Sequence, residues 1–79
     1  MSAKDDLFDF VSSTVKAIVD EPAKANIECI ESGTRTYTFL ISCGANDLKF
    51  IFSRLKSIKH IAIGIAQKHK AMVNILVND

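Results

Sequence analysis

Leu48-Lys49-Phe50-Ile51-Phe52-Ser53-Arg54-Leu55-Lys56-Ser57-Ile58, continued by Lys59 to His69, forms either one long helix or two short ones, and the architecture turns on which. Apolar residues recur at Leu48, Ile51/Phe52, Leu55, Ile58, Ile61/Ala62 and Ile65/Ala66, the three- and four-residue spacing of a helix with one buried face. No Gly or Pro intervenes before Gly64. By spacing alone the segment is one uninterrupted helix with Leu55 in the core. A turn at Ser53–Lys56 would instead leave Leu55 exposed.

On the C-terminal side, Met72 to Val77 places Val73, Ile75 and Val77 on one side of a short buried strand. On the N-terminal side, Gly44-Ala45-Asn46-Asp47 supplies a turn and a helix start, with Asn46 or Asp47 as N-cap. Upstream of that turn, Lys24 to Ile30 and Thr36 to Ser42 alternate in polarity and are rich in β-branched and aromatic residues. They read as a hairpin about Ser32-Gly33-Thr34. A register in which paired numbers sum to 66 sets Cys29 opposite Tyr37 and Glu31 opposite Arg35. Cys43 then lies about 20 Å from Cys29 along the sheet, too far for a disulfide, so both are expected to be reduced thiols. The chain opens with an amphipathic helix, Asp5 to Val19, acidic in its first turns and ended by Asp20-Glu21-Pro22.

Seventy-nine residues make one domain, 1–79, of one helical layer on one sheet, because a chain this short buries only about 60% of its unfolded surface. The longest stretch without Lys, Arg, Asp or Glu is Thr36 to Asn46, far short of the roughly 20 apolar residues of a membrane span. The polar, acidic start does not resemble a signal or transit peptide. A soluble cytoplasmic protein without a membrane partner is expected. Residues 1–47 carry four basic and eight acidic side chains, net −4, whereas residues 48–79 carry six basic and one acidic, net +5. This is either an ordinary solvated dipole or a localised anion-binding face.

The order α-β-β-α(-α)-β, with Val19-Asp20-Glu21-Pro22 closing the first helix and Asn46-Asp47-Leu48 opening the next, resembles the stand-alone bacterial type II KH-domain proteins of the KhpA type. The resemblance covers essentially the whole chain. Where that family has Gly-Lys-Val-Ile-Gly-Lys-x-Gly-Arg-Ile, this chain has Lys49-Phe50-Ile51-Phe52-Ser53-Arg54-Leu55-Lys56-Ser57-Ile58. The apolar positions and one loop cation are kept, and the two loop glycines fall on Ser53 and Lys56. The resemblance implies an α+β, type II KH-like α-β-β-α-α-β fold, with a three-stranded sheet covered on one face by helices. It also implies a helix break between Ser53 and Lys56.

KH domains lay the backbone of single-stranded RNA against the Gly-x-x-Gly turn, where a helix N-terminus favours phosphate and glycine permits close approach. Ser53 is small and could cap the following helix. Lys56 must swing its stem aside, although its charge could meet a phosphate. The candidate RNA-binding residues are therefore Lys49, Ser53, Arg54, Leu55, Lys56 and Lys59, with Phe52 assigned to the core. Close clamping of about four nucleotides is not expected with both glycines gone.

His60 and His69, nine apart, do not share a helical face cleanly and lack nearby carboxylates, so no metal site, cofactor or Cys-His nucleophile is expected. No Gly-rich phosphate loop or paired carboxylates point to an enzyme. Two functions remain. One is a small RNA-binding protein with a weakened or altered single-stranded grip. The other is a KH-derived interaction module using Leu55, Phe50 or a strand edge, its partner being itself or a second KH-containing protein of the KhpB (Jag) type.

Overall fold

The computed structural model describes residues 2–78 and shows an α+β fold: a three-stranded mixed sheet with two helices. Helix α1 spans Ala3–Ile18. Ser2 caps it, its Oγ accepting from the Asp5 N–H at 3.1 Å, and Asp5 and Asp6 lie in the first turn against the positive end of the dipole. The chain turns extended at Val19, ahead of Pro22, and passes through a short 3-10 turn, Pro22–Lys24. Strands β1 (Asn26–Gly33) and β2 (Thr36–Ser42) follow, then a second 3-10 turn, Ala45–Asp47, helix α2 (Leu48–Lys68) and strand β3 (Met72–Val77).

The sheet order is β1-β2-β3, with β1 antiparallel and β3 parallel to the central β2. Helix α2 is the crossover that a parallel pair requires. The hairpin forms, but its register differs from the expected one. Cys29 faces Phe39 and Glu31 faces Tyr37, so paired numbers sum to 68, with an irregularity between Glu31 and Gly33. The tight turn falls on Thr34-Arg35 rather than Ser32-Gly33-Thr34, with Arg35 in the left-handed region at φ 54°. A shift of two keeps every side chain on its own face, because the side-chain period is two. Glu31 loses its expected partner Arg35 and lies 3.6 Å from Lys4 instead. Cys29 and Cys43 are free thiols, and in this register they are separated by roughly 13 Å along the sheet.

Helix α2 is continuous from Leu48 to Lys68, so the expected break between Ser53 and Lys56 is corrected to a single helix. The physical reason lies in the lost glycines. Neither replacement requires the helix to end: Lys is a good helix former and Ser a tolerable one, and Ser53 Oγ donates back to the Phe50 carbonyl at 2.9 Å. Leu55 is half-buried against the core, as the uninterrupted spacing implies.

Both helices cover one face of the sheet. Leu7, Val11 and Val15 of α1 and Ile51, Ile58, Ala62 and Ala66 of α2 meet Ile27, Phe39, Ile41 and Ile75 of the strands. Each large side chain buried here contributes about 1.5–3 kcal/mol. Among the described residues, no helix lies over the opposite face, where Ile30, Met72 and Leu76 are exposed.

Candidate binding surface

The position of α2 is fixed at both ends by backbone chemistry. At its start, Asp47 is buried, at 1% exposure, and its two carboxylate oxygens accept the N–H groups of Asp20 and Glu21, each at 3.1 Å. The sequence suggested Asp47 as a helix cap. Its backbone is already helical, at φ −97° and ψ −10°, and its side chain makes no capping bond to α2. It bridges instead to the segment leaving α1. At the other end, Ala71 N–H donates to the Ala66 carbonyl at 2.9 Å and Lys70 N–H to the Gln67 carbonyl at 3.1 Å, with Lys70 at φ 55°. This is a Schellman cap, with lysine where glycine is usual. His69 Nε2 lies 2.8 Å from Asp6 Oδ2, joining the end of α2 to the start of α1. The expectation that His69 has no carboxylate beside it is thereby corrected.

On a continuous helix at about 100° per residue, the six candidate residues separate. Lys49, Ser53, Lys56 and Lys59 fall within one exposed sector, and Arg54 lies roughly 140–160° away from the two last lysines. Leu55 points inward. Lys49 Nζ sits 5.2 Å from the centre of the Phe50 ring. Helix α2 contains five cationic residues and no acidic one. Among the described residues, Lys49, Arg54, Lys56 and Lys59 take part in no ion pair.

Between these cations lie large apolar groups that the sequence reading did not select. Phe52 was assigned to the core and is 48% exposed, and Ile63 is 46% exposed. Their spacing produces a stripe, Phe52-Lys56-Lys59-Ile63, at intervals of four, three and four. Two hollows adjoin it along the outer edge of β3. One, of about 180 Å³, is lined by Lys59, Ile63 and Val73 to Leu76. The other, of about 360 Å³, is lined by Ile63, Ala66, Gln67, Ala71, Met72 and Val73. Ile63 and Val73 border both, so the two form a groove between α2 and the last strand. The signal available in the sequence was the continuous helical spacing, which places Phe52 and Ile63 on the lysine side.

No metal-binding cluster of His, Cys, Asp and Glu occurs among the described residues. Burial pushes the Cys29 thiol above its ordinary pKa, Lys4 opposing and Glu31 adding. Burial also raises Cys43, and the Asp47 charge adds to it. The direction is opposite to that of an activated cysteine, whose thiol pKa is lowered. No helix of the described chain is long and apolar enough to cross a membrane. Comparison with known protein families, curated proteins and solved structures finds no match for this chain.

Proposed function

We propose that this chain is a non-enzymatic binding module that holds a protein partner on the α2 stripe and the adjoining groove. The observation that carries this reading is the continuity of α2 through Ser53–Lys56. Within a helix the N–H groups of these residues are engaged in the helical ladder, so none is available to cradle a phosphate. What this surface offers a partner is half-exposed Phe52 and Ile63 set among lysines. Large apolar side chains with long cationic neighbours make a surface suited to a protein interface, where apolar anchors supply most of the energy and rim charges select the partner. An α+β fold with a three-stranded mixed sheet, compatible with a KH-like domain, agrees with a chain that descends from an RNA binder and has given up its clamp.

The test is affinity capture with the wild type and with Phe52→Ser and Ile63→Ser. Both variants are exposed and should keep the wild-type melting temperature within a few degrees. A partner held by the wild type and lost by both supports the reading. A partner retained by both removes it.

Charge-driven binding of single-stranded RNA is the second reading, favoured by five cations and no acid on α2. With Lys49, Lys56 and Lys59 as three phosphate contacts, the logarithmic salt slope would be about −2. Sequence preference would be slight. A shift-perturbation titration with a short mixed-sequence RNA at low salt decides it. Loss of binding in the triple change of Lys49, Lys56 and Lys59 to Ala would support RNA, and absence of binding in the wild type would exclude it.

A further inference from the structure

We infer that the outer edge of β3 takes an extended acidic segment of the partner protein as a fourth strand, an inference that rests on the protein-partner reading. Among the described residues, strand β3 pairs with β2 on one side only. Met72 N–H donates to the Arg35 carbonyl and Asn78 N–H to the Ile41 carbonyl, each at 2.8 Å. Backbone groups alternate along a strand. The even-numbered residues between them therefore face β2, and the N–H and C=O groups of Val73, Ile75 and Val77 face outward. Three donors and three acceptors line an edge of about 20 Å, enough for a six-residue strand.

The edge lacks the usual protections. Edge strands are commonly guarded by a charge or proline along the strand itself, and Met72-Val73-Asn74-Ile75-Leu76-Val77 has neither. A groove follows it, with Ile63 and Val73 bordering both of its hollows. The chemistry of the occupant follows from the wall of that groove. Lys59 lines it, Lys56 stands one turn away on the same stripe, and α2 has no acidic residue to oppose an incoming carboxylate. Alternate side chains of an added strand face opposite sides of the sheet, so a segment of alternating apolar and acidic residues would turn its acidic set toward Lys59 on α2 and its apolar set toward exposed Met72 and Leu76 on the open face.

The experiment is an NMR titration of the full chain with a blocked octapeptide of alternating Glu and Val, a matched Lys–Val octapeptide, and an eight-nucleotide oligouridylate. With the Glu–Val peptide, hydrogen exchange at Val73, Ile75 and Val77 should slow by about fivefold or more, while Asn74 and Leu76, already bonded to β2, should change little. Lys56→Glu combined with Lys59→Glu should weaken the peptide roughly tenfold. Val73→Pro removes an outward N–H and leaves the β2 ladder intact, so the variant should fold and lose binding. Equal binding of the Lys–Val peptide, or peptide shifts without slowed exchange at those three amides, overturns the inference. So does a folded Val73→Pro variant with unchanged affinity. In those cases the protein-partner reading still stands on the Phe52 and Ile63 capture result. Oligouridylate perturbing the edge while the peptide is inert would overturn both. Oligomers without peptide that Val73→Pro disperses would make the occupant the Glu28–Glu31 edge of a second copy and overturn the assignment to a partner.

Discussion

Replacing Ser53 and Lys56 together by glycine restores the spacing of a Gly-x-x-Gly turn and distinguishes a helix from a turn by the sign of its effect. In a continuous α2, both positions are exposed helix interior, and Ser53 contributes only a bond to its own preceding turn. Glycine costs about 0.4 kcal/mol more than serine and about 0.7 more than lysine in that setting, so the pair should destabilise by about 1 kcal/mol. For a domain of this size that lowers the melting temperature by about 4–8 °C. In a turn with left-handed residues the outcome reverses. Each L-residue held there costs roughly 1–2 kcal/mol that glycine relieves, and the melting temperature would rise. Thermal denaturation followed by circular dichroism at 222 nm is the assay. A double-glycine variant that melts higher than the wild type would refute the continuous helix.

Asp47→Ala leaves the N–H groups of Asp20 and Glu21 without their acceptors and should cost about 2–4 kcal/mol in urea denaturation, since bonds to a charged group are the stronger kind. A loss below about 1 kcal/mol would mean water replaces the carboxylate. Gly64→Ala meets nothing within 4 Å and should stabilise by about 1 kcal/mol, read as a higher urea midpoint at unchanged slope. Lys70→Gly relieves the left-handed residue of the Schellman cap and should stabilise by about 0.5–1 kcal/mol. Cys29 and Cys43 should alkylate more slowly with iodoacetamide than a free thiol, with the rate still rising past the pH at which a free thiol has levelled off. Because their folded pKa values are raised, their contribution to stability is full below the unfolded thiol pKa and is lost as pH rises through the folded one. A free-thiol rate in the folded protein would contradict their burial.

The order of elements was legible because each segment carries its own period: Leu7, Val11 and Val15 for α1, alternation for the hairpin, and Val73, Ile75 and Val77 for β3. The hairpin register was not, because a slip of two residues preserves both faces and only the turn decides it. Arg35 took the left-handed position although Gly33 stood nearby. The break in α2 was expected from family order against the local evidence, and the local evidence prevailed, since nothing at Ser53 or Lys56 forces a residue out of the helix. Leu55, Arg54 and the lysines were drawn into one candidate site because the resemblance placed them on or beside a Gly-x-x-Gly turn. A continuous helix sends Leu55 inward and Arg54 to the far flank. The groove along β3 lay beyond sequence reading because it pairs Ile63 with Val73, and only the packing of α2 beside the last strand brings them together. Asp47 was noticed for the wrong bond: a carboxylate before a helix reads as a cap, and its long-range partners Asp20 and Glu21 depend on how α1 ends.

The most direct measurement is the set of backbone carbon secondary shifts and sequential amide–amide NOEs from Phe52 to Ser57. Continuous helical shifts with unbroken amide–amide NOEs through Ser53, Arg54, Leu55 and Lys56 are expected. Coil-like shifts or a left-handed residue at any of these four positions would contradict the single α2 and return the phosphate-cradling turn to this chain.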